Sequence, residues 1–386
     1  MSSKVKSSAT PSTTWPQVRA FRLRRHHLAP RGSPGSLVTV VRDVCGIQAQ
    51  VMAAAETALW ARVENLDPQE VRAALEQERS LAKIWCMRGT VHLLPARDVA
   101  LFVSALGLSQ LRDHERWLAK RGLSAQELAK MSATVLEALE AGPLTRKELG
   151  DRVTARLGLS ARPWVEHGWG AFVKHLSYEG RLCFGPNRGQ EVTFARLDSW
   201  LQDFVRVPVE EAQMGLIRRY LQAYGPATPQ DFAAWSGLPM QEVNLAWQRL
   251  DNELVSVSIE GKKAWLLHND LDEVQAQPPE DEEQVQLLPS FDVFLLSHRD
   301  KSHLVDAVHY KRVYRKAGWL SPVVLVGGRA AGVWSHQRRG SKLDLTIEFF
   351  ERGSRSLREA VEAKAADLGR FLGVSCAVAF SKGANL

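Results

Sequence analysis

Thr228-Pro229-Gln230-Asp231-Phe232-Ala233-Ala234-Trp235 is a short helical pattern set between two longer ones, Met214–Tyr224 and Met240–Leu250. Two strand-like runs follow, Leu254–Ile259 and Lys263–Leu267, on either side of Gly261. Three helices and then a two-stranded hairpin is the outline of a winged helix. The same order occurs twice upstream. Ala133–Ala141, Pro143–Leu149 with Thr145 as its cap, and Gly170–Glu179 read as helices, and Arg181-Leu182-Cys183-Phe184 then pairs with Glu191-Val192-Thr193-Phe194. Before that, helical patterns at Leu37–Cys45, Val51–Val63 and Pro68–Glu78 lead into Leu81–Leu94, which contains the alternating run Thr90-Val91-His92-Leu93. The copies share pattern and not sequence, so helical subdomains with incidental hairpins remain the other reading.

Outside the repeats, Pro16–His27 reads as a helix with Val18 and Phe21 inward and Arg19, Arg22, Arg24 and Arg25 outward. Past residue 284, strand-like runs at Val285–Leu288, Val323–Val326, Ala330–Trp334 and Leu343–Phe350 precede a helix at Leu357–Leu372. The expected fold class is α+β: tandem winged-helix units followed by a β-rich C-terminal domain. The expected divisions are a polar, disordered tail over 1–14, winged-helix units over 15–130, 131–205 and 206–269, an acidic linker over 270–284, and the β-rich domain over 285–386.

The chain of 386 residues carries a net charge of +7, and that charge is unevenly placed. Residues 1–42 hold eight Lys/Arg and no Asp/Glu, and residues 301–358 hold twelve against four. The body between them is mildly acidic. Tandem winged helices with basic flanks point to nucleic acid, and the two blocks are expected to form two sides of one DNA cleft, with the acidic linker held away. No run of apolar residues is long enough to span a membrane, and the polar start lacks the apolar core of a secretory signal. Cys45, Cys86, Cys183 and Cys376 are too scattered for a zinc site, which suggests reduced thiols in a cytoplasmic protein associated with the nucleoid. Gly168-Trp169-Gly170 lacks the third glycine of a dinucleotide fingerprint, and no phosphate-binding loop is present. No cofactor is implied. His26, His27, His298, His303 and His309 lack the partners of a metal site, and Trp164, Trp169, Trp235, Trp247 and Trp265 read as core.

Gly46-Ile47-Gln48-Ala49-Gln50 is the segment that could carry chemistry. Two residues of helix subtend about 200°, so the two amides would diverge on a helix. They can serve one site only if the chain is extended there or just entering a helix, a break that Gly46 permits. Ordinary backbone hydrogen bonds at a helix start are the alternative.

This motif, with Trp85-Cys86-Met87-Arg88-Gly89-Thr90-Val91-His92-Leu93-Leu94-Pro95-Ala96 beyond it, resembles the bacterial winged-helix DNA glycosylases of the AlkZ/YcaQ type. Leu288-Pro289-Ser290-Phe291-Asp292-Val293-Phe294-Leu295-Leu296-Ser297-His298-Arg299-Asp300 and Val326-Gly327-Gly328-Arg329-Ala330-Ala331-Gly332-Val333-Trp334 extend the resemblance over residues 15–350. The family divides between Gln-x-Gln and Gln-x-Asp motifs. This chain has the first, which suggests the branch that protects antibiotic producers from their own DNA-alkylating products. The resemblance implies a monomeric, monofunctional glycosylase acting on double-stranded DNA with alkylated purines. No lysine position in the sequence argues for Schiff-base strand cleavage.

The chemistry explains why a carboxylate is dispensable. An N7-alkylguanine or N3-alkyladenine nucleoside already carries positive charge on its leaving group, so no general acid is required. Gln48 and Gln50 would hold the attacking water and turn carbonyl dipoles toward the sugar cation. Arg88 and Thr90 are read as phosphate contacts, and His92 lies either at the DNA surface or inside the wing. Asp292, flanked by Phe291, Val293 and Phe294, reads as a buried structural carboxylate. Ser335–Lys342 forms a hairpin tip with His336, Arg338, Arg339 and Lys342, and in the resembling family such a hairpin enters the minor groove. A solvated loop is the alternative there. For the whole chain, a non-catalytic winged-helix regulator or lesion sensor is the competing reading.

Overall fold

The computed structural model describes residues 10–167, 170–201, 204–276 and 284–381. The third helix–hairpin unit follows its sequence pattern closely. Helices Val209–Tyr224, Pro229–Ser236 and Met240–Gln248 precede strands Leu254–Ile259 and Lys262–Leu267. Thr228 and Asp231 cap the second helix reciprocally, and Gly237 ends it in the left-handed region. Glu260 and Gly261, both at positive φ, make the tight turn of the hairpin. Tyr220, Phe232, Trp235, Val243 and Trp247 close the core of this unit.

The first two units are less independent than the repeat suggests. Their hairpins, Leu81–Trp85 with Val91–Pro95 and Leu182–Phe184 with Thr193–Arg196, merge into one six-stranded sheet through the pair Lys83 and Phe184. Ile47–Gln48 forms one edge of that sheet and Leu144–Thr145 the other. Trp85 covers the seam, its ring centroid 4.5 Å from that of Phe184 and 6.1 Å from that of Phe194. The division expected at 130/131 falls inside the helix Ala125–Ala138. A 21-residue helix, Val99–Ala119, lies outside the repeat pattern; it packs against Val209–Tyr224 and so joins the first unit to the third.

Two further expectations are corrected. The tail expected over 1–14 is ordered from residue 10: Ser12–Thr13 pairs in parallel with Ser258 and Ile259, and Thr14 caps the helix Trp15–Arg25. Residues 1–9 lie outside the described residues. The acidic linker begins as structure, because Leu271–Gln275 is a helix against Trp15–Arg25. Arg25 pairs with Asp270 and Glu273, each at 2.6 Å, and Arg24 pairs with Glu273 at 3.4 Å. Arg22 points inward, donating to the carbonyls of Gly225 and Pro226 at 3.2 and 2.7 Å. Arg31 and Arg42 pair with Asp367 and Asp43. Four arginines of the amino-terminal basic block are thus engaged by carboxylates within the fold, and a fifth, Arg22, is turned into the core. The rest of the linker, 277–283, lies outside the described residues.

The C-terminal domain is a five-stranded sheet, Val285–Leu288, Val323–Val326, Arg329–Arg339, Lys342–Phe349 and Ser375–Phe380. The last strand, which the sequence pattern does not announce, joins in parallel after the crossover helix Arg355–Leu372. Trp235 and Trp247 are buried as expected; Trp164 and Trp265 are half-buried, and Trp169 lies outside the described residues. Cys45, Cys86 and Cys183 are buried and free, and burial pushes the Cys86 thiol up to about 12. Among the described residues, no helix is long and apolar enough to cross a membrane.

Candidate active site

The helix Leu37–Asp43 ends in a turn with Cys45 and Gly46 at positive φ, and the chain then runs extended through Ile47–Gln48. Gly46 is required there: a Cβ would stand 2.6 Å from Leu94 Cδ2 and 3.0 Å from the Leu93 carbonyl. Ala49 N–H donates to the Val91 carbonyl at 2.7 Å, and the next helix starts only at Met52. The strand ends at Gln48 and Gln50 lies in a bend two residues on, with Ala49 buried between them. What brings the two amides together is the facing segment Arg88–Val91, which donates to both side-chain oxygens.

Both amide oxygens are oriented by neighbouring donors. Arg88 donates to Gln48 Oε1 at 3.1 Å, and Val91 N–H donates to Gln50 Oε1 at 3.3 Å. A carbonyl oxygen has two lone pairs, so each retains one. Gln48 is 8% exposed, and Gln50 is open to solvent. Arg88 occupies a left-handed turn with Gly89, and its second guanidinium nitrogen donates to the Trp235 carbonyl of the third unit. Gly237 lets this approach occur, since a Cβ there would lie 3.3 Å from the Arg88 backbone. Arg88 thus holds Gln48 in place, a role the sequence did not assign it, and burial lowers its pKa. Beside it opens a cavity of about 470 Å³ whose lining includes Gln110, His114, Trp117, Lys174 and Tyr178.

The other motif residues are brought together with the pair in different roles. Thr90 Oγ1 donates to the Met87 carbonyl at 3.1 Å and closes the turn, so its hydroxyl is committed internally. His92 is 1% exposed and cannot lie at the DNA surface. It sits opposite Gln48 in the strand register, with Nδ1 3.0 Å from the Thr90 carbonyl. That carbonyl can only accept, which puts the proton on Nδ1 and leaves Nε2, buried and without a partner, as a lone pair. Burial and then the Arg88 charge push its pKa down to about 3, so the ring is neutral.

His336, Arg338, Arg339 and Lys342 stand apart from this cluster on the hairpin Arg329–Arg339 and Lys342–Phe349, all exposed. Gly340 and Ser341 make its two-residue tip. Arg338 bonds the Gly340 carbonyl at 3.3 Å and Arg339 the Gln337 amide at 2.9 Å, with no carboxylate among the described residues paired to either. Trp334 Nε1 anchors the base of the hairpin on the Leu288 carbonyl at 2.9 Å.

Distant segments hold the pair in position. Tyr224 OH donates to the Val44 carbonyl at 2.8 Å, just ahead of Gly46, and His298 Nε2 donates to the Tyr224 carbonyl at 3.0 Å. Asp292 is buried in a two-pronged ion pair with Arg62 at 2.7 and 2.8 Å, as its apolar neighbours imply. Nothing in the sequence marks Trp235 or Tyr224 as supports of the site. The one local cue is the consecutive Arg88-Gly89, which a left-handed turn explains.

Three winged-helix-like units, a β-rich domain and an amide pair on an extended edge, oriented by a buried arginine, define a DNA-processing enzyme. The family described as "DNA glycosylase AlkZ-like" matches residues 41–371. The chain is 34% identical over 369 residues to the "Interstrand DNA cross-link repair glycosylase" of Streptomyces sahachiroi, covering 94% of this chain and 97% of that protein. The solved structure "Streptomyces sahachiroi DNA glycosylase AlkZ" superposes with a TM-score of 0.83 at 32% identity, over 96% of this chain and 100% of the other. The protein belongs to the AlkZ-like DNA glycosylases, enzymes that hydrolyse N-glycosyl bonds.

Proposed function

We propose that this glycosylase is monofunctional and releases cationic N7-alkylguanine or N3-alkyladenine from double-stranded DNA, leaving an abasic site. Bulky adducts and interstrand crosslinks are the proposed substrates, in keeping with the name of the Streptomyces relative. The observation that carries the reading is the Gln48-Ala49-Gln50 segment leaving the strand edge, whose two oriented carbonyl oxygens each keep a free lone pair. These accept hydrogen bonds from a water and present it to C1′ on the face opposite the departing base. Amides supply position and dipole but little proton affinity. The positive charge on the alkylated base therefore has to make it a good leaving group. Arg88, fixed between Gln48 and Trp235, keeps the Gln48 oxygen from rotating away.

Duplexes containing 7-methylguanine, a crosslink or uracil, incubated with the pure protein, test this directly. Free base is expected from the first two and none from uracil. Efficient uracil release would overturn the dependence on leaving-group charge.

The exposed cations of the hairpin are read as groove contacts. Replacing Arg338 and Arg339 by glutamate is expected to weaken duplex binding and to flatten log K against log salt by about 0.9 for each phosphate no longer neutralised. An unchanged slope in a binding titration would take the hairpin out of the interface.

A further inference from the structure

The segment from Lys301 to Leu320 carries cations and aromatic rings that the site described above does not use. Lys301 follows the loop whose His298 bonds Tyr224 and whose Arg299 N–H bonds Asp231 at 2.8 Å. Its side chain is half-buried, yet no described residue gives its Nζ a hydrogen bond or an ion pair; the ring of Tyr314 lies 5.6 Å away, and Asp231 and Asp300 act on it only beyond ion-pair distance. Tyr314 is held by its own hydroxyl, which donates to the Leu295 carbonyl at 2.8 Å, and it stacks at 4.8 Å on the exposed Tyr310.

From Tyr314 the chain makes a closed turn. Arg315 N–H donates to the Trp319 carbonyl at 2.7 Å, and Ala317 and Gly318 at its tip both have positive φ. Arg315 and Lys316 project from this turn without a carboxylate partner among the described residues. Trp319 is 57% exposed, its inner side resting on Phe291 at 5.2 Å. Most arginines of the amino-terminal block are paired, so this cluster of unpaired cations stands out. It begins on the loop bonded through Arg299 to the helix Pro229–Ser236, the same helix whose Trp235 carbonyl fixes Arg88, the residue that holds Gln48.

We infer that Lys301 and the turn Arg315–Trp319 form a second DNA contact, separate from the hairpin at Arg338, in which the Lys301 ammonium takes a backbone phosphate beside the Gln pair. Arg315 and Lys316 extend the track along the same strand, and Trp319 supplies an apolar face against the groove. A half-buried ammonium whose nearby carboxylates stand too far off for an ion pair is poorly stabilised in the free protein and favourable once a phosphate adjoins it. The inference rests on the DNA-substrate reading.

A proton linkage follows. In the free protein, burial and then Arg88 push Lys301 down to about 7, against the opposing pull of Asp231 and Asp300. The buried His298 and His303 beside it are held neutral, their pKa values well below the usual range, and Tyr314 is pushed up by burial. A phosphate raises the Lys301 pKa again. Above pH 7 the complex must therefore take up a proton, and affinity falls as pH rises until the bound-state pKa is passed.

The test uses the full chain and a duplex carrying a single tetrahydrofuran abasic analogue, titrated from pH 6.5 to 9 and over a salt series. Wild type is expected to lose up to tenfold in affinity per pH unit above 7. K301M is expected to bind more weakly at pH 7, to lose that pH dependence and to lower the salt slope by about 0.9. K301R is expected to keep the salt slope while losing the pH dependence, because arginine stays charged throughout. Thermal denaturation establishes that both variants are folded. R315A/K316A provides an independent arm, with a salt slope lowered by the equivalent of one or two phosphates. Wild-type pH and salt slopes in K301M, with an unchanged slope in R315A/K316A, would overturn the inference alone. Failure of wild type to bind any duplex would overturn the DNA-substrate reading with it.

Discussion

Replacing Gln48 and Gln50 together by alanine is expected to lower base release from a 7-methylguanine duplex by roughly 10²–10³-fold, the span associated with losing a preorganised dipole at the reacting centre. Duplex affinity should remain near that of wild type. The expectation follows from the surroundings of the two side chains. Their oxygens receive one hydrogen bond each, from Arg88 and from Val91 N–H; Gln50 is open to solvent, and Arg88 keeps its second bond, to the Trp235 carbonyl, when Gln48 is truncated. Removing them leaves the strand pairing of Ile47 with Leu93 and the bond from Ala49 N–H intact. Single-turnover base release and a binding titration on the same preparation measure the two quantities separately. Loss of affinity, activity and folded stability together would make the pair structural. Unchanged release would move the water to other residues, and retained binding with no release by wild type would favour a lesion sensor.

Asp292→Ala is expected to cost about 3–5 kcal/mol of stability, because it strands the Arg62 guanidinium in a site where neither partner reaches solvent. The Arg62 nitrogens bond both Asp292 oxygens, and one also bonds the Ala58 carbonyl. Asp292 Oδ1 additionally accepts from Phe294 N–H at 2.9 Å, capping the short helix Val293–Leu296. Breaking the pair therefore loosens the junction between the first unit and the C-terminal domain. The midpoint of chemical denaturation measures the cost. The double variant R62M/D292M should recover most of it, since a buried ion pair replaced on both sides by apolar groups is often neutral. A single variant with the wild-type midpoint would show that water reaches the site and solvates the orphaned charge.

Much of the fold is legible because it is written in local periodicity. The third unit, with Thr228 as cap and Gly261 at its turn, depends on interactions a few residues apart, and its elements fall where the pattern places them. The requirement that Gln48-x-Gln50 be extended to act as a pair, and the role of Gly46 in that break, are equally local. Val99–Ala119 and Ser375–Phe380 escape such a reading because each is held by partners far along the chain. Arg88 and Thr90 take on internal hydrogen bonds that their motif does not announce, and His92 falls on the interior of its two readings, for the same reason. Side-chain chemistry indicates what a residue can bind, and its neighbours in space decide what it does bind.

By itself, the sequence determined the class of fold, the family motifs and the amide pair, since each is a statement about residue type at short spacing. Only the tertiary structure decided how the charge is used. It turned Arg22 inward, paired Arg24 and Arg25 with Asp270 and Glu273, and left Lys301, Arg315, Lys316 and the hairpin arginines without an ion pair among the described residues. A count of charges along the chain is blind to this, because Coulomb energy depends on distance in space and on burial, and both are settled only when segments hundreds of residues apart come together.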